Sequence, residues 1–191
     1  MKILTSTAIV AAAFIAFTIP QIANAADGGQ VKNDLFTIAL PAGFSEFATQ
    51  TQTTPGADGK KIETTNWVSK APTGEAVIVT VSKMPGKILD PEKLFASTRD
   101  SLLKTVKATL ESDEKREGDV PSARLLFHSD GAFFRSRFVA NDDRFYQLLY
   151  VGRSADQRSA PAVAQLFESF QINAAPAPVQ AAGVAPTAKP N

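Results

Sequence analysis

Apolar and polar residues change their spacing several times along the chain, and each change predicts an element. Leu35 to Phe44 (LFTIALPAGF) reads as a short strand stopped by Pro41 and a Gly43 turn. Thr51 to Lys61 is polar and holds Pro55, Gly56 and Gly59, which predicts a loop or an irregular hairpin. The TTNWVSKA segment, with the sole tryptophan Trp67, is a weaker strand pattern. Glu75 to Met84 (EAVIVTVSKM) is the strongest, a β-branched run entered from Pro72 and Gly74.

A four-residue spacing follows. Asp90 is a suitable N-cap and Pro91 suits the first helical position. Leu94, Thr98, Leu102, Val106 and Leu110 then form one stripe, widened by Phe95 and Leu103. The charged run from Glu111 to Asp119 is expected to end this helix as a solvated terminus. A second helix is predicted from Ser159-Ala160-Pro161, with Val163, Leu166, Phe167 and Phe170 at helical spacing. Both stripes suit packing against a sheet.

Between the helices, ARLLFH-SDGA-FFRSRFV carries Asp130-Gly131, a two-residue hairpin signal between strand-forming runs. That turn sets His128 opposite Phe133, Leu126 opposite Arg135 and Arg124 opposite Arg137. Alternation then gives two faces. One holds Ala123, Leu125, Phe127, Phe134, Ser136 and Phe138, a core face. The other holds Arg124, Leu126, His128, Phe133, Arg135 and Arg137, mixed and basic. Asn141-Asp142-Asp143 leads into RFYQLLYVG. A two-residue loop there puts Tyr146, Leu148 and Tyr150 on the basic face, and a three-residue loop puts them on the core face. Few polar residues mark either face of this strand, which predicts a central position covered on both sides.

The ends of the chain differ from the middle. Residues 1 to 25 begin with Lys2, run apolar from Ile3 to Ile19, break at Pro20 and end Ala23-Asn24-Ala25, the pattern of an export signal cleaved between Ala25 and Ala26. The apolar run is short for a membrane span, so no stable membrane insertion is expected after its removal. Residues 174 to 191 hold four prolines and no large aromatic, and are expected to form a disordered, polyproline-like tail. The remainder, 26 to 173, is expected to be a single α+β domain of ordinary size. An Ala-rich leader on a cysteine-free domain points to a bacterial periplasmic or secreted protein.

Charge and chemistry remove several classes. Without Lys2 the chain has 19 basic and 19 acidic residues, hence no net charge. That gives no electrostatic case for nucleic acid or an acidic membrane. With no cysteine there is no disulfide, thiol nucleophile or lipoprotein anchor. His128 is the only histidine, so a multi-histidine metal cage is excluded. There is no G-x-S-x-G elbow and no G-x-G-x-x-G or P-loop glycine pattern. Asp130, Asp142 and Asp143 lack the alternating acids of a calcium loop and fit turn caps. No cofactor, metal or catalytic residue is assigned. An enzyme using carboxylates alone would need two acids converging in a pocket, which spacing does not reveal.

The order of these motifs resembles the PsbP-like superfamily, which includes photosystem II oxygen-evolving-complex P proteins and bacterial DcrB-like envelope proteins. The resemblance rests on FTIALPAGF from Phe36, DVPSARLLF from Asp119, RFYQLLYVG, and the closing APAVAQLFESFQI with Ser169-Phe170. It spans most of residues 35 to 172. The family often has Trp where Phe44 stands here, and its lipoprotein members have a cysteine this chain lacks. The resemblance implies a central antiparallel β-sheet flanked by helices, an α-β-α sandwich, and non-catalytic accessory work with an envelope protein partner. Arg124, His128, Arg135, Arg137, Tyr146 and Tyr150 form the candidate binding face. Arginines and tyrosines on adjacent strands suit a protein partner or, as the alternative, a small anionic ligand carried or sensed in the periplasm.

Overall fold

A computed structural model describes residues 28–56, 59–116 and 120–173. The leader, with Ala25 and Ala26, and the Pro-rich tail lie outside the described residues. The elements in chain order are β1 (Gln30–Lys32), β2 (Phe36–Ala39), β3 (Ala48–Pro55), β4 (Lys61–Lys70), β5 (Ala76–Lys83), α1 (Pro91–Val106), β6 (Thr109–Arg116), β7 (Ser122–Ser129), β8 (Ala132–Asn141), β9 (Arg144–Gly152), α2 (Ala155–Ser159), α3 (Pro161–Ser169) and β10 (Gln171–Ile172). Seven strands form one antiparallel sheet in the order β3-β4-β5-β9-β8-β7-β6, and β1-β2-β10 form a second, smaller one. The result is a mostly antiparallel β protein with a few helices.

β9 sits at the centre, between β5 and β8, and is buried without a break from Phe145 to Tyr150. Both of its faces are covered, as its apolar sequence predicts. On one face, Tyr146, Leu148 and Tyr150 join Val77, Val79 and Val81 of β5 beneath Phe36 and Ile38 of β2 and Val163, Leu166 and Phe167 of α3. Phe36 meets Trp67 edge-on at 5.1 Å, a geometry aromatic quadrupoles favour. On the other face, Phe145 and Leu149 join Leu125, Phe127, Phe134 and Phe138 beneath Leu94, Phe95 and Leu102 of α1. The first cover is therefore a helix and a three-stranded sheet together, and the second is one helix.

Local chemistry sets the turns. Ser129 pairs with Ala132 across Asp130-Gly131, and Gly131 takes the left-handed φ of +75° that glycine tolerates. Asn141 pairs with Arg144, so the next loop has two residues, and the tyrosines share a face with Arg135 and Arg137. Asp142 accepts a φ of +50° there. The backbone carbonyls of Asp142 and Asp143 accept from the N–H groups of Ile88 and Met84, both at 2.7 Å. The two aspartates thus shape a turn and fasten the loop before α1.

The expected end of the first helix needs correction. α1 starts as predicted, with Asp90 accepting from the Lys93 N–H at 3.0 Å, but it stops at Val106. Lys107 turns left-handed at φ +50°, and its N–H and that of Ala108 bond back to the last turn. Leu110, Glu111, Asp113 and Glu114 belong to β6, an edge strand of the large sheet, rather than to a helix end, and residues 117 to 119 of the charged run lie outside the described residues. Charges on β6 alternate, and Asp113 and Lys115 face α1, where they pair with Arg99 at 2.5 Å and Glu92 at 3.1 Å. Of the two readings of Thr51 to Lys61, the hairpin holds: Thr51 to Pro55 belong to β3, in an eight-residue ladder with β4 that is regular in register.

Candidate functional site

The six candidate residues lie on one sheet face, but packing divides them. Tyr146 and Tyr150 are 1% and 0% exposed, sealed beneath β2 and α3. The Tyr150 hydroxyl donates to the Glu75 carboxylate, and burial followed by that acid pushes its phenol well above the usual tyrosine range. Burial also raises Tyr146, with Arg144 opposing. Both are core groups with satisfied or screened polar ends, and a partner cannot reach them.

Arg137 is bound to the fold as well. Its Nη1 donates to the carbonyls of Phe167 and Phe170, each at 3.3 Å, where α3 ends. Helix-end carbonyls lack intrahelical donors and carry partial negative charge, so a guanidinium there closes the helix onto β8. Arg135 lies 4.7 Å above the Phe167 ring, half-buried, in a cation–π contact. Burial pulls its pKa below the ordinary arginine value, and Arg124 pulls it further.

Arg124 pairs with Arg137 across the β7–β8 ladder, and Arg135 stands two residues along. Diagonal neighbours of this kind are roughly 7–8 Å apart. Among the described residues neither Arg124 nor Arg135 has a carboxylate within ion-pair distance, and the Arg124 Nε–H is buried without an acceptor. Glu114 stands opposite Arg124 on β6, and Glu168 and Glu114 partly offset the Arg135 charge from beyond ion-pair distance. Two neighbouring guanidiniums, partly desolvated and without a contact ion pair among the described residues, favour an approaching anion.

His128 belongs to a cluster the sequence pattern does not reveal. A β-bulge between Leu110 and Ser112 adds Glu111 to β6 and re-aims its carboxylate. Glu111 accepts from Arg158 Nη1 at 3.0 Å and Nη2 at 2.7 Å, and pairs with His128 Nδ1 at 2.8 Å. Phe133 stacks beside His128 at 6.0 Å and lies under the Arg158 guanidinium at 5.6 Å. Arg158 also donates to the Phe127 carbonyl. The Arg158 charge holds the Glu111 carboxyl below its ordinary range against the effect of burial, and His128 adds to this. The cluster staples α2 and β6 to β7. One signal for it was legible: Ser154-x-x-Gln157 is a helix-start pattern, and Ser154 accepts from the Gln157 N–H at 3.2 Å to open α2 and present Arg158.

A shallow concavity of about 590 Å³ opens elsewhere, lined by Thr53, Lys61, Glu63, Lys83, Met84 and Asp143 among others. None of the six candidates lines it. Among the described residues no three His, Asp or Glu side chains gather as a metal site, and no helix is long and apolar enough to cross a membrane.

The chain matches no protein-family model and no curated protein sequence. Its fold is similar to the solution structure of cyanobacterial PsbP (CyanoP) from Synechocystis sp. PCC 6803, with a TM-score of 0.55 and 13% identity. The match covers 82% of this chain and 99% of that one. The fold is PsbP-like, and at this identity the likeness speaks to the fold alone.

Proposed function

We propose that the chain is an exported, non-enzymatic accessory domain of the bacterial periplasm or envelope that binds a protein partner through the Arg124–Arg135 surface. The observation that carries this reading is the pair of neighbouring guanidiniums with no carboxylate in ion-pair contact among the described residues. A protein that holds two like charges side by side, one of them stacked on Phe167, keeps a preformed socket for acidic side chains. The leader-like pattern of residues 1 to 25 supports export, and the PsbP-like fold supports accessory work. A half-buried surface at the margin of the α3 cover favours a protein over a small anion, since the concavity of about 590 Å³ contains neither arginine.

The test is capture from an envelope extract with the wild type and an Arg124→Gln/Arg135→Gln variant as baits. Glutamine keeps part of each stem while removing the charge. The partner is expected to carry an acidic surface, to elute as salt rises from about 50 to about 500 mM, and to be recovered at least tenfold less by the variant. Equal recovery by a variant with an unchanged unfolding midpoint rejects this surface.

A further inference from the structure

The large sheet has two free edges, β3 and β6, and they are built differently. β6 carries Glu111, Asp113, Glu114 and Lys115, and its register is broken by the bulge. Charges and bulges are the usual means of preventing strand-to-strand association. β3 has neither. Ala48–Pro55 contains no charged residue, pairs with β4 in unbroken register over all eight positions, and is mostly exposed. An edge strand turns the N–H and C=O of alternate residues outward, and on β3 nothing among the described residues covers them.

The sequence of this edge is symmetric. Thr49-Gln50-Thr51-Gln52-Thr53 reads the same in both directions. We propose that β3 pairs antiparallel with β3 of a second copy, about a two-fold axis through Thr51, so that two seven-stranded sheets join into one. In that register Thr51 faces its own copy, Thr49 faces Thr53, and Gln50 faces Gln52. Threonines then line one face of the joint and glutamines the other, each beside its own kind. Threonine pairs stabilise neighbouring strands, and glutamine amides bond to one another in ladders.

Symmetry also explains why the missing charge points to a second copy. A two-fold axis brings like positions together, so a charge near it meets the same charge. β3 alone among the seven strands of this sheet has no Asp, Glu, Lys, Arg or His to create that repulsion. The Thr51 hydroxyl is already fixed by the Thr65 hydroxyl at 2.9 Å, which limits the ordering lost on pairing. Pro55 ends the available edge, because it has no N–H to offer. Five strand spacings, about 24 Å, separate β3 from Arg124 on β7, so the joint leaves the arginine surface free. A pair of single strands is small beside the roughly 1,200 Å² of stable interfaces, and the association is expected to depend on concentration.

Sedimentation equilibrium from micromolar to millimolar protein reads this directly. The average mass of the wild type should rise from the monomer value toward twice that value. Thr51→Lys places like charges on the axis and should hold the mass at the monomer value, with circular dichroism unchanged. Mixing T51K with T51E should restore the doubled mass. The absence of native cysteine allows a second, register-specific readout. Thr51→Cys should oxidise to a covalent dimer, because facing Cα atoms are about 4.5–5.5 Å apart. Thr49→Cys should not, because its copies lie about 14 Å apart along the strands. A wild type that stays monomeric at millimolar concentration overturns the proposal. So does a dimer that survives T51K, or equal cross-linking by T49C and T51C. Binding of an unrelated extended peptide at β3 in place of the second copy likewise overturns it.

Discussion

Replacing Glu111 by Gln isolates one charge in the cluster that joins α2 to the sheet. The carboxylate receives two hydrogen bonds from Arg158, whose side chain is only 8% exposed, while that of Glu111 is 32% exposed. Exposed ion pairs contribute less than about 1 kcal/mol, whereas breaking a fully buried pair costs about 3–5 kcal/mol. Glu111 lies between these limits, and its partner lies at the buried one. A loss of about 2 kcal/mol follows, equivalent to a fall in Tm of about 4–8 °C for a domain of this size. The dependence on pH has a definite sign. Arg158 lowers the Glu111 pKa in the folded state, so its contribution is complete above the ordinary value of 4.5 and disappears as pH falls below it. Urea unfolding at pH 7 should show the full difference between wild type and Glu111→Gln, and the difference should narrow in acid. In an Arg158→Met background, where no buried charge remains to be abandoned, the same substitution should cost under about 0.5 kcal/mol. A cost below about 0.5 kcal/mol in the wild-type background, or the same cost in both backgrounds, refutes the reasoning.

Two further substitutions test local claims. Tyr150→Phe removes the hydroxyl that donates to Glu75 and should cost about 1–2 kcal/mol in urea unfolding. The folded phenol titrates above the ordinary 10, so the wild type should lose stability as pH rises beyond that value, and Tyr150→Phe should reduce this alkaline loss. Lys107→Gly relieves a left-handed backbone at the end of α1 and should raise stability by about 1 kcal/mol, read as a higher urea midpoint at unchanged slope.

The elements legible in the sequence are those specified by neighbours in the chain. The Asp130-Gly131 turn fixes the β7–β8 register, and the Asp90-Pro91 pair fixes the start of α1. The end of α1 was hidden because Lys107 adopts the left-handed cap without a glycine to announce it. β6 was hidden because it is an edge strand dominated by charge. Its partners Arg99 and Glu92 lie 14 and 23 residues away, so the alternation has meaning only once α1 packs across the sheet. Glu111 and Arg158 are separated by 47 residues, beyond any local pattern.

The arginines show why residue type alone does not define a site. Arg124, Arg135 and Arg137 share one face of two adjacent strands, and alternation treats them alike. Packing separates them. Arg137 reaches the carbonyls at the end of α3 and is consumed in holding that helix. Arg135 covers Phe167 of the same helix, and Glu168 and Glu114 act on its charge only from beyond ion-pair distance. Arg124 lies one strand farther from the centre of the sheet, with its buried Nε–H lacking an acceptor among the described residues. The closer an arginine stands to the cover formed by α3, the more of its bonding capacity the fold itself uses. What remains for a partner therefore lies toward β7, away from the tyrosines of β9, and a search centred on Tyr146 and Tyr150 would probe the core instead of the surface.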